Sequence, residues 1–105
     1  MPREMCLIEV FLPLSYNDGK KIERSKFVDL EENLISNFGG VTVYARSPAF
    51  GSYDDGEQRQ RDEIVVVEVM TEKFDREWWL KLREELERSF EQKEILIRFS
   101  SISQL

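Results

Sequence analysis

The sequence predicts an α+β fold in which strands and helices follow the order βαββαβ. Two stretches carry apolar residues spaced by 3, 4 and 4 positions, which is the spacing of one face of an α-helix. Each of them lies between two short segments rich in β-branched and aromatic residues, as strands are. Because strand–helix–strand connections are right-handed, two such units place both helices on one face of a four-stranded antiparallel sheet. A chain of 105 residues is expected to form a single domain, 1–105.

The first half begins with a predicted strand at Met5–Leu14, a segment dense in β-forming residues. A loop leads to a helix predicted at Ser25–Phe38, with Ser25 as its N-cap and a glycine pair directly after its last residue. A second strand is predicted at Val41–Arg46. The apolar face of the helix consists of Phe27, Leu30, Leu34 and Phe38.

The second half repeats this order. A third strand is predicted at Ile64–Met70, and a helix capped by Asp75 extends to about Gln92. The fourth strand is predicted at Glu94–Ser100. The apolar face of this helix consists of Trp79, Leu82, Leu86 and Phe90.

The two halves are copies of one pattern. Adding 52 to the residue numbers of the first apolar face gives the second, and the same offset relates Val43 to Ile95 and Ala45 to Ile97. This arrangement resembles the ferredoxin-like fold and, within it, the dimeric α/β-barrel type. The resemblance is one of pattern and covers nearly the whole chain, but it brings no functional motif. It implies that strands one and three are central and that strands two and four are edges.

Residues 47–63 are polar and are expected to form a long hairpin arm between strands two and three. Asp54-Asp55-Gly56 predicts a three-residue loop, with the glycine in the left-handed conformation. The resulting register places Tyr44 opposite Val66. A two-stranded ribbon is marginally stable by itself. Phe50 and Tyr53 near its tip are therefore expected either to fold back on their own domain or to grip a second subunit.

Alternation along the strands leaves one face of the sheet without helices, and that face is unusually apolar. A patch of this size is seldom left in water by a monomer. We therefore expect a homodimer, with Leu7, Phe11 and Val66 at the interface together with Phe50 and Tyr53 of the arm. The residues expected on the uncovered face are Leu7, Glu9, Phe11, Tyr44, Arg46, Ile64, Val66, Glu68, Met70, Leu96 and Arg98.

Two glutamates on this face support two interpretations. Glu9 and Glu68 lie on adjacent central strands and need partners, which Arg46, Arg98 and Tyr44 can provide. In the first interpretation these contacts only set the orientation of the subunits. In the second they line a cavity, where Glu68, Glu9 and Tyr44 are candidate catalytic residues and Arg98 and Arg46 are candidates for binding an anionic group.

Three classes of function remain open. A homodimer that acts through protein contacts is favoured because it needs no further residues. The alternatives are a small-molecule enzyme and a regulatory ligand-binding domain that resembles ACT modules. Each alternative would use a cavity on the uncovered face of the sheet.

Composition excludes other classes. The net charge of −6 and pI of about 4.8 argue against nucleic acid, whose phosphates require clustered Lys and Arg. The absence of histidine removes imidazole catalysis and His-ligated metals. The single cysteine, Cys6, is expected to be a buried apolar residue and forms no internal disulfide. No cofactor, metal or membrane contact is expected, and the location is expected to be cytoplasmic.

Overall fold

A computed structural model describes residues 3–46 and 64–105 and, for Ala45 and Arg46, the backbone alone. The elements follow the predicted order. They are β1 (Arg3–Pro13), α1 (Arg24–Phe38), β2 (Thr42–Arg46), β3 (Ile64–Thr71), α2 (Arg76–Ser89) and β4 (Ile97–Gln104). The strands form one sheet in the order β2-β3-β1-β4 with every neighbouring pair antiparallel. The α+β, ferredoxin-like fold is therefore confirmed, with β1 and β3 central.

The hydrophobic core lies between the sheet and the two helices. Alternate residues of β1 and β3 point to the helices and are almost fully buried, as the predicted alternation requires. Each buried aliphatic side chain contributes about 1.5–3 kcal/mol relative to exposure. The buried cluster consists of Ile8, Val10, Leu12, Ile22, Leu30, Leu34, Val65, Val67, Val69, Trp79, Leu82, Leu86, Phe90 and Ile95.

Aromatic contacts hold the two helices together. The rings of Phe27 and Phe90 meet edge to face, with centroids 5.2 Å apart and planes at 87°. The rings of Phe38 and Trp79 are stacked with the same centroid distance of 5.2 Å. Since all four residues belong to the apolar faces read from the sequence, the helical periodicity is confirmed for both helices.

The N-terminus of α2 and the C-terminus of α1 agree with the prediction, whereas the start of α1 and the end of α2 do not. α2 ends at Ser89 and not at about Gln92, since Glu91 has a positive φ of 53° that is incompatible with a continuing helix. The α2 N-cap is Asp75, whose carboxylate accepts the Trp78 backbone N–H at 3.2 Å. α1 ends at Gly39, which has φ of 84° and donates its N–H to Ile35 O at 2.8 Å. The predicted N-cap at Ser25 is wrong, because the N-cap is Glu23, two residues earlier, and its side chain makes no capping hydrogen bond.

β4 lies further along the chain than predicted. The apolar run from Glu94 suggested a strand ending at Ser100, but the strand spans Ile97–Gln104. β1 is longer than expected and provides partners as far back as Arg3, so the polar residues after Ser100 pair with it as well. Their pairing is set by the neighbouring strand and not by their own β-propensity.

The register of β2 and β3 is the predicted one. Thr42 lies opposite Glu68, and Tyr44 lies opposite Val66. The predicted hairpin arm, with Phe50 and Tyr53, lies outside the described residues. Over 3–46 and 64–105, no helix is both long and apolar enough to cross a membrane.

Candidate functional site on the open face of the sheet

The open face is the side of the sheet that carries no helices, and polar residues of all four strands meet on it. Directly paired residues of neighbouring strands project to the same face. Glu9 pairs with Glu68 on one side and with Arg98 on the other, and Glu68 pairs with Thr42. The order across the sheet is therefore Thr42, Glu68, Glu9, Arg98. We call this set the polar row.

Arg98 is bound to one of the two glutamates. Its Nε donates to Glu9 Oε1 at 3.1 Å, where the Glu9 side chain is 19% exposed. The Arg98 guanidinium also lies over the Phe11 ring, 4.8 Å from its centroid, in the geometry of a cation–π contact. Within residues 3–46 and 64–105, the carboxylate of Glu68 has no hydrogen-bond or ion-pair partner. The two adjacent carboxylates therefore differ in their surroundings.

Apolar and aromatic side chains flank the polar row. Tyr44, Val66 and Phe11 form the next row across β2, β3 and β1. Tyr44 is 46% exposed, whereas Val66 is 2% exposed. On the other side of the polar row, Leu7 pairs with Met70, which is 43% exposed. The open face thus presents a carboxylate pair surrounded by partly exposed apolar surface.

The structure brings most of the predicted site residues together. Glu9, Glu68, Tyr44 and Arg98 all lie on the open face, within two adjacent rows. Arg46 pairs with Ile64 through the backbone, and its side chain lies outside the described part. Arg98 is a partner of Glu9, as one of the two interpretations expects, and its guanidinium orients that carboxylate. Its candidate role in binding an anionic group stays a prediction.

A second polar cluster, which the sequence did not indicate, joins the loop after β1 to the ends of both helices. The Tyr16 hydroxyl donates to Glu23, and Lys26 Nζ donates to the Tyr16 hydroxyl and to Ser89 O. Lys26 Nζ also lies 3.5 Å from Glu23 Oε2 and 4.9 Å from the centroid of the Tyr16 ring. The only trace in the sequence is the i,i+3 spacing of Glu23 and Lys26.

These contacts shift the pKa of each member of the cluster. The hydrogen bond from Tyr16 lowers the pKa of the Glu23 carboxyl. The bond to Glu23 raises the pKa of the Tyr16 hydroxyl, and the bond to Tyr16 raises that of the Lys26 ammonium. Each shift stabilises the charge state that the group ordinarily has at neutral pH, which is ionised for Glu23, neutral for Tyr16 and protonated for Lys26. We therefore interpret the cluster as a structural clamp that holds these groups in place.

Cys6 and the acidic residues provide no further chemistry. Cys6 lies half-buried beside the core, and desolvation raises the pKa of its thiol, which disfavours a nucleophilic thiolate. In the part of the chain that the structure describes, no group of three or more Cys, Asp or Glu side chains is placed to hold a metal ion.

The fold and the polar row place this chain in the class of small α+β proteins that have a ferredoxin-like sheet and a polar site on its open face. No family model matches the chain, and no curated protein matches it. Among solved structures, the chain is similar to a phage SAM lyase in complex with S-methyl-5'-thioadenosine. The TM-score is 0.60 at 15% identity, and the match covers 94% of this chain and 88% of that one. At this identity the similarity shows the fold alone.

Proposed function

We propose that this chain is a self-associating enzyme that binds S-adenosylmethionine on the open face of its sheet and cleaves it to S-methyl-5'-thioadenosine. The observation that carries the proposal is the pair Glu9 and Glu68, side by side on the central strands within apolar and aromatic surface. The similar phage protein is a SAM lyase that holds S-methyl-5'-thioadenosine, and the match covers 94% of this chain.

The chemistry of the ligand suits this face. S-adenosylmethionine carries a sulfonium and an ammonium cation, which carboxylates attract, and a flat adenine, which aromatic side chains contact favourably. Glu9 is already held by Arg98. Glu68 is therefore the candidate for contact with the cationic part of the substrate, while Tyr44 and Phe11 provide aromatic surface next to it.

The proposed reaction breaks the bond between the sulfur and Cγ of the methionine part. The bonding pair moves to sulfur, which becomes the neutral thioether of S-methyl-5'-thioadenosine. The remaining four-carbon group either closes on its own carboxylate oxygen to a lactone, or loses a Cβ proton to a base and forms an alkene. In the first route Glu68 binds the ammonium group, and in the second it takes the proton.

Both routes are compatible with a chain that lacks histidine. The sulfur loses its positive charge as the bond breaks. A site that excludes water therefore raises the free energy of the charged substrate more than that of the transition state, in which the charge is already reduced. Leu7, Val66 and Met70 beside the polar row provide such a surface once it is covered.

Self-association would provide that cover. We expect a homodimer in which Leu7 and Phe11 of the open face contact a second copy, because both are partly exposed and apolar surface of this kind marks interfaces. Val66, predicted for the same interface, is only 2% exposed in the single chain and presents little surface to a partner. Light scattering of the purified chain measures the mass of the assembly. Leu7→Glu is expected to shift it to the monomer, and a wild-type chain that is monomeric at micromolar concentration contradicts the expectation.

The activity is tested by incubating the chain with S-adenosylmethionine and measuring S-methyl-5'-thioadenosine by liquid chromatography. Glu68→Gln is expected to lower the rate by about 10²-fold or more, while Glu84→Gln, an exposed change on α2, leaves it unchanged. Circular dichroism and light scattering check that both variants fold and assemble. Nuclear magnetic resonance of the four-carbon product separates the lactone from the alkene. A wild-type chain that releases no thioadenosine, or a fully active Glu68→Gln variant, contradicts the proposal.

A homodimer that acts through protein contacts alone is the second candidate. The apolar residues next to the polar row favour it, since they suit a dry interface as well as a covered site. Titration calorimetry with S-adenosylmethionine and with S-methyl-5'-thioadenosine distinguishes the candidates. An intact dimer that binds neither compound supports the contact protein. Binding without cleavage supports the ligand-binding regulatory class.

A further inference from the structure

We infer that a pocket between α2 and β4 is a docking site for a second copy of this chain, which contributes its segment 50–55. The pocket has a volume of about 100 Å³ and lies on the helix side of the sheet, away from the open face. The inference is therefore independent of the proposed enzymatic function. The pocket is lined by Phe74, Arg76, Trp79, Leu80, Arg83, Ile97 and Phe99.

One wall of the α2–β4 pocket is aromatic and unusually exposed. The rings of Phe74 and Phe99 are stacked, with centroids 4.1 Å apart and planes at 22°. Phe99 is 51% exposed and Leu80 is 37% exposed. Trp79 is buried in the floor, and its Nε1 has no hydrogen-bond partner within the described ranges. Large apolar side chains around a concave surface are typical of a binding site.

The opposite wall is basic, although the protein as a whole is acidic with a net charge of −6. Arg76, Leu80 and Arg83 are spaced four and three residues apart on α2 and share one side of the helix. Arg83 Nε lies 4.0 Å from Glu87, whose carboxylate also accepts the Ile95 N–H. A guanidinium has five N–H donors, so this contact leaves Arg83 able to bind a further anion.

The surface therefore suits a partner that presents aromatic rings next to carboxylates. Segment 50–55 of this chain reads FGSYDD and contains both within six residues. Phe50 and Tyr53 match the Phe74–Phe99 wall, and Asp54 and Asp55 match the two arginines. Charge complementarity of this kind orients a contact and excludes other partners.

The topology favours a segment from another copy over the chain's own. The segment belongs to residues 47–63, which connect Arg46 to Ile64. Both of these residues lie on the β2 side of the sheet, at the end where Ile64 of β3 pairs with Pro13. The pocket lies at the β4 edge, where Phe99 pairs with Ile8. The segment of a second copy can enter the pocket from outside, whereas the chain's own segment would have to cross the sheet from the β2 edge to the β4 edge. A two-fold axis would make the contact reciprocal and the assembly closed.

A charge-swap experiment tests the match. Arg76→Glu with Arg83→Glu is expected to raise the dissociation constant of the assembly about tenfold or more, because each close charge pair at an interface contributes at least about 1.5 kcal/mol. Asp54→Arg with Asp55→Arg is expected to weaken association similarly. Sedimentation equilibrium measures both, and combining the four changes is expected to restore association. Recovery is the decisive readout, since general damage to folding cannot produce it.

The matched control reverses two charges elsewhere on the same helix. Lys81→Glu with Arg88→Glu makes the same change in net charge, on a side of α2 about 100° or more from the arginine side of the pocket. This control is expected to leave the dissociation constant within about twofold of the wild type. An equal loss of association in the control and the pocket variant contradicts the inference.

Disulfide trapping identifies which copy occupies the pocket. In a Cys6→Ser background, chains with only Ser52→Cys are mixed with chains with only Leu80→Cys and oxidised. A covalent pair of one chain of each kind is expected. The inference is overturned if no such pair forms, or if a separately prepared chain that carries both changes cross-links only within itself while the mixture does not react. The same mixture with Glu68→Gln is expected to cross-link fully, so this result and the lyase assay can fail separately.

Discussion

Glu9 and Glu68 lie directly opposite each other on the two central strands, and Arg98 lies opposite Glu9 on its other side. Cross-strand neighbours have Cβ atoms about 4.5–5.5 Å apart, so the two carboxylates repel each other. The Arg98 bond to Glu9, at 3.1 Å, offsets that repulsion. One arginine at an edge strand thus permits two carboxylates in the centre of the sheet.

The first prediction follows from this arrangement. Arg98→Gln is expected to lower the free energy of unfolding by about 1 kcal/mol, because it removes a charged hydrogen bond and leaves the carboxylates to repel each other. In the Arg98→Gln background, Glu68→Gln is expected to raise the free energy of unfolding and so to recover part of that loss. In the wild type, the same change is expected to raise the free energy of unfolding by less. Urea unfolding of the four proteins measures the coupling. An equal effect of Glu68→Gln in both backgrounds shows that the three groups do not interact.

The second prediction concerns the end of α1. Gly39 has φ of 84°, and a Cβ built there meets nothing within 4 Å. Gly39→Ala is therefore expected to cost about 1 kcal/mol through backbone strain alone, without a steric clash. Gly40 is equally open but has no positive φ, so Gly40→Ala is expected to be neutral or slightly stabilising. Thermal unfolding compares them, and similar effects at both positions contradict the assignment of the cap.

The third prediction concerns the N-terminus of α2. Asp75→Ala is expected to lower the free energy of unfolding by about 1 kcal/mol, because the Trp78 N–H loses its acceptor. Asp75→Asn keeps an oxygen at the cap and is expected to retain most of the stability. Chemical unfolding followed by Trp fluorescence is suitable, because Trp78 and Trp79 lie in the first turn of the helix. A loss as large for Asn as for Ala indicates that the charge, and not the hydrogen bond, is the stabilising feature.

The fourth prediction is a pH dependence caused by the clamp of Tyr16, Glu23 and Lys26. The pKa of Glu23 is lowered by its bond from Tyr16, so its contribution to stability is present above the ordinary pKa of about 4.5 and lost as the pH falls through the lower folded value. The pKa of Lys26 is raised by its bond to Tyr16, so its contribution is present below about 10.5 and lost as the pH rises through the folded value.

Tyr16→Phe tests this dependence, since it removes the hydroxyl shared by both bonds. The pKa of the Tyr16 hydroxyl itself is raised, chiefly by the bond to Glu23, so its own contribution also disappears as the pH rises above about 10. The stability difference between wild type and variant is therefore expected to be largest near neutral pH and smaller at both extremes. Urea unfolding across the pH range measures it. A difference that is constant with pH indicates that only the packing of the hydroxyl matters.

Much of the architecture was predictable because it depends on the local spacing of apolar residues along each helix and strand. The stripe through Leu30 and Leu34 and the stripe through Trp79 and Leu82 follow from helical periodicity. The predicted alternation along β1 and β3 matches the side on which Ile8 and Val67 are buried. The β2–β3 register was also predictable, because a shift by one residue would move every apolar side chain of β2 to the other face.

Other features required the assembled sheet. β4 extends to Gln104 because β1 provides partners for it, and the seven residues after Ile97 carry too little apolar pattern to indicate this. Arg98 was predicted for the open face as one of three possible partners of the two glutamates, but its bond to Glu9 in particular and its position over Phe11 are decided by side-chain packing in the assembled sheet. The Tyr16 clamp and the α2–β4 pocket likewise join residues far apart in the chain. Periodicity records which side of an element is buried, whereas contacts between polar side chains arise only when tertiary packing brings separate elements together.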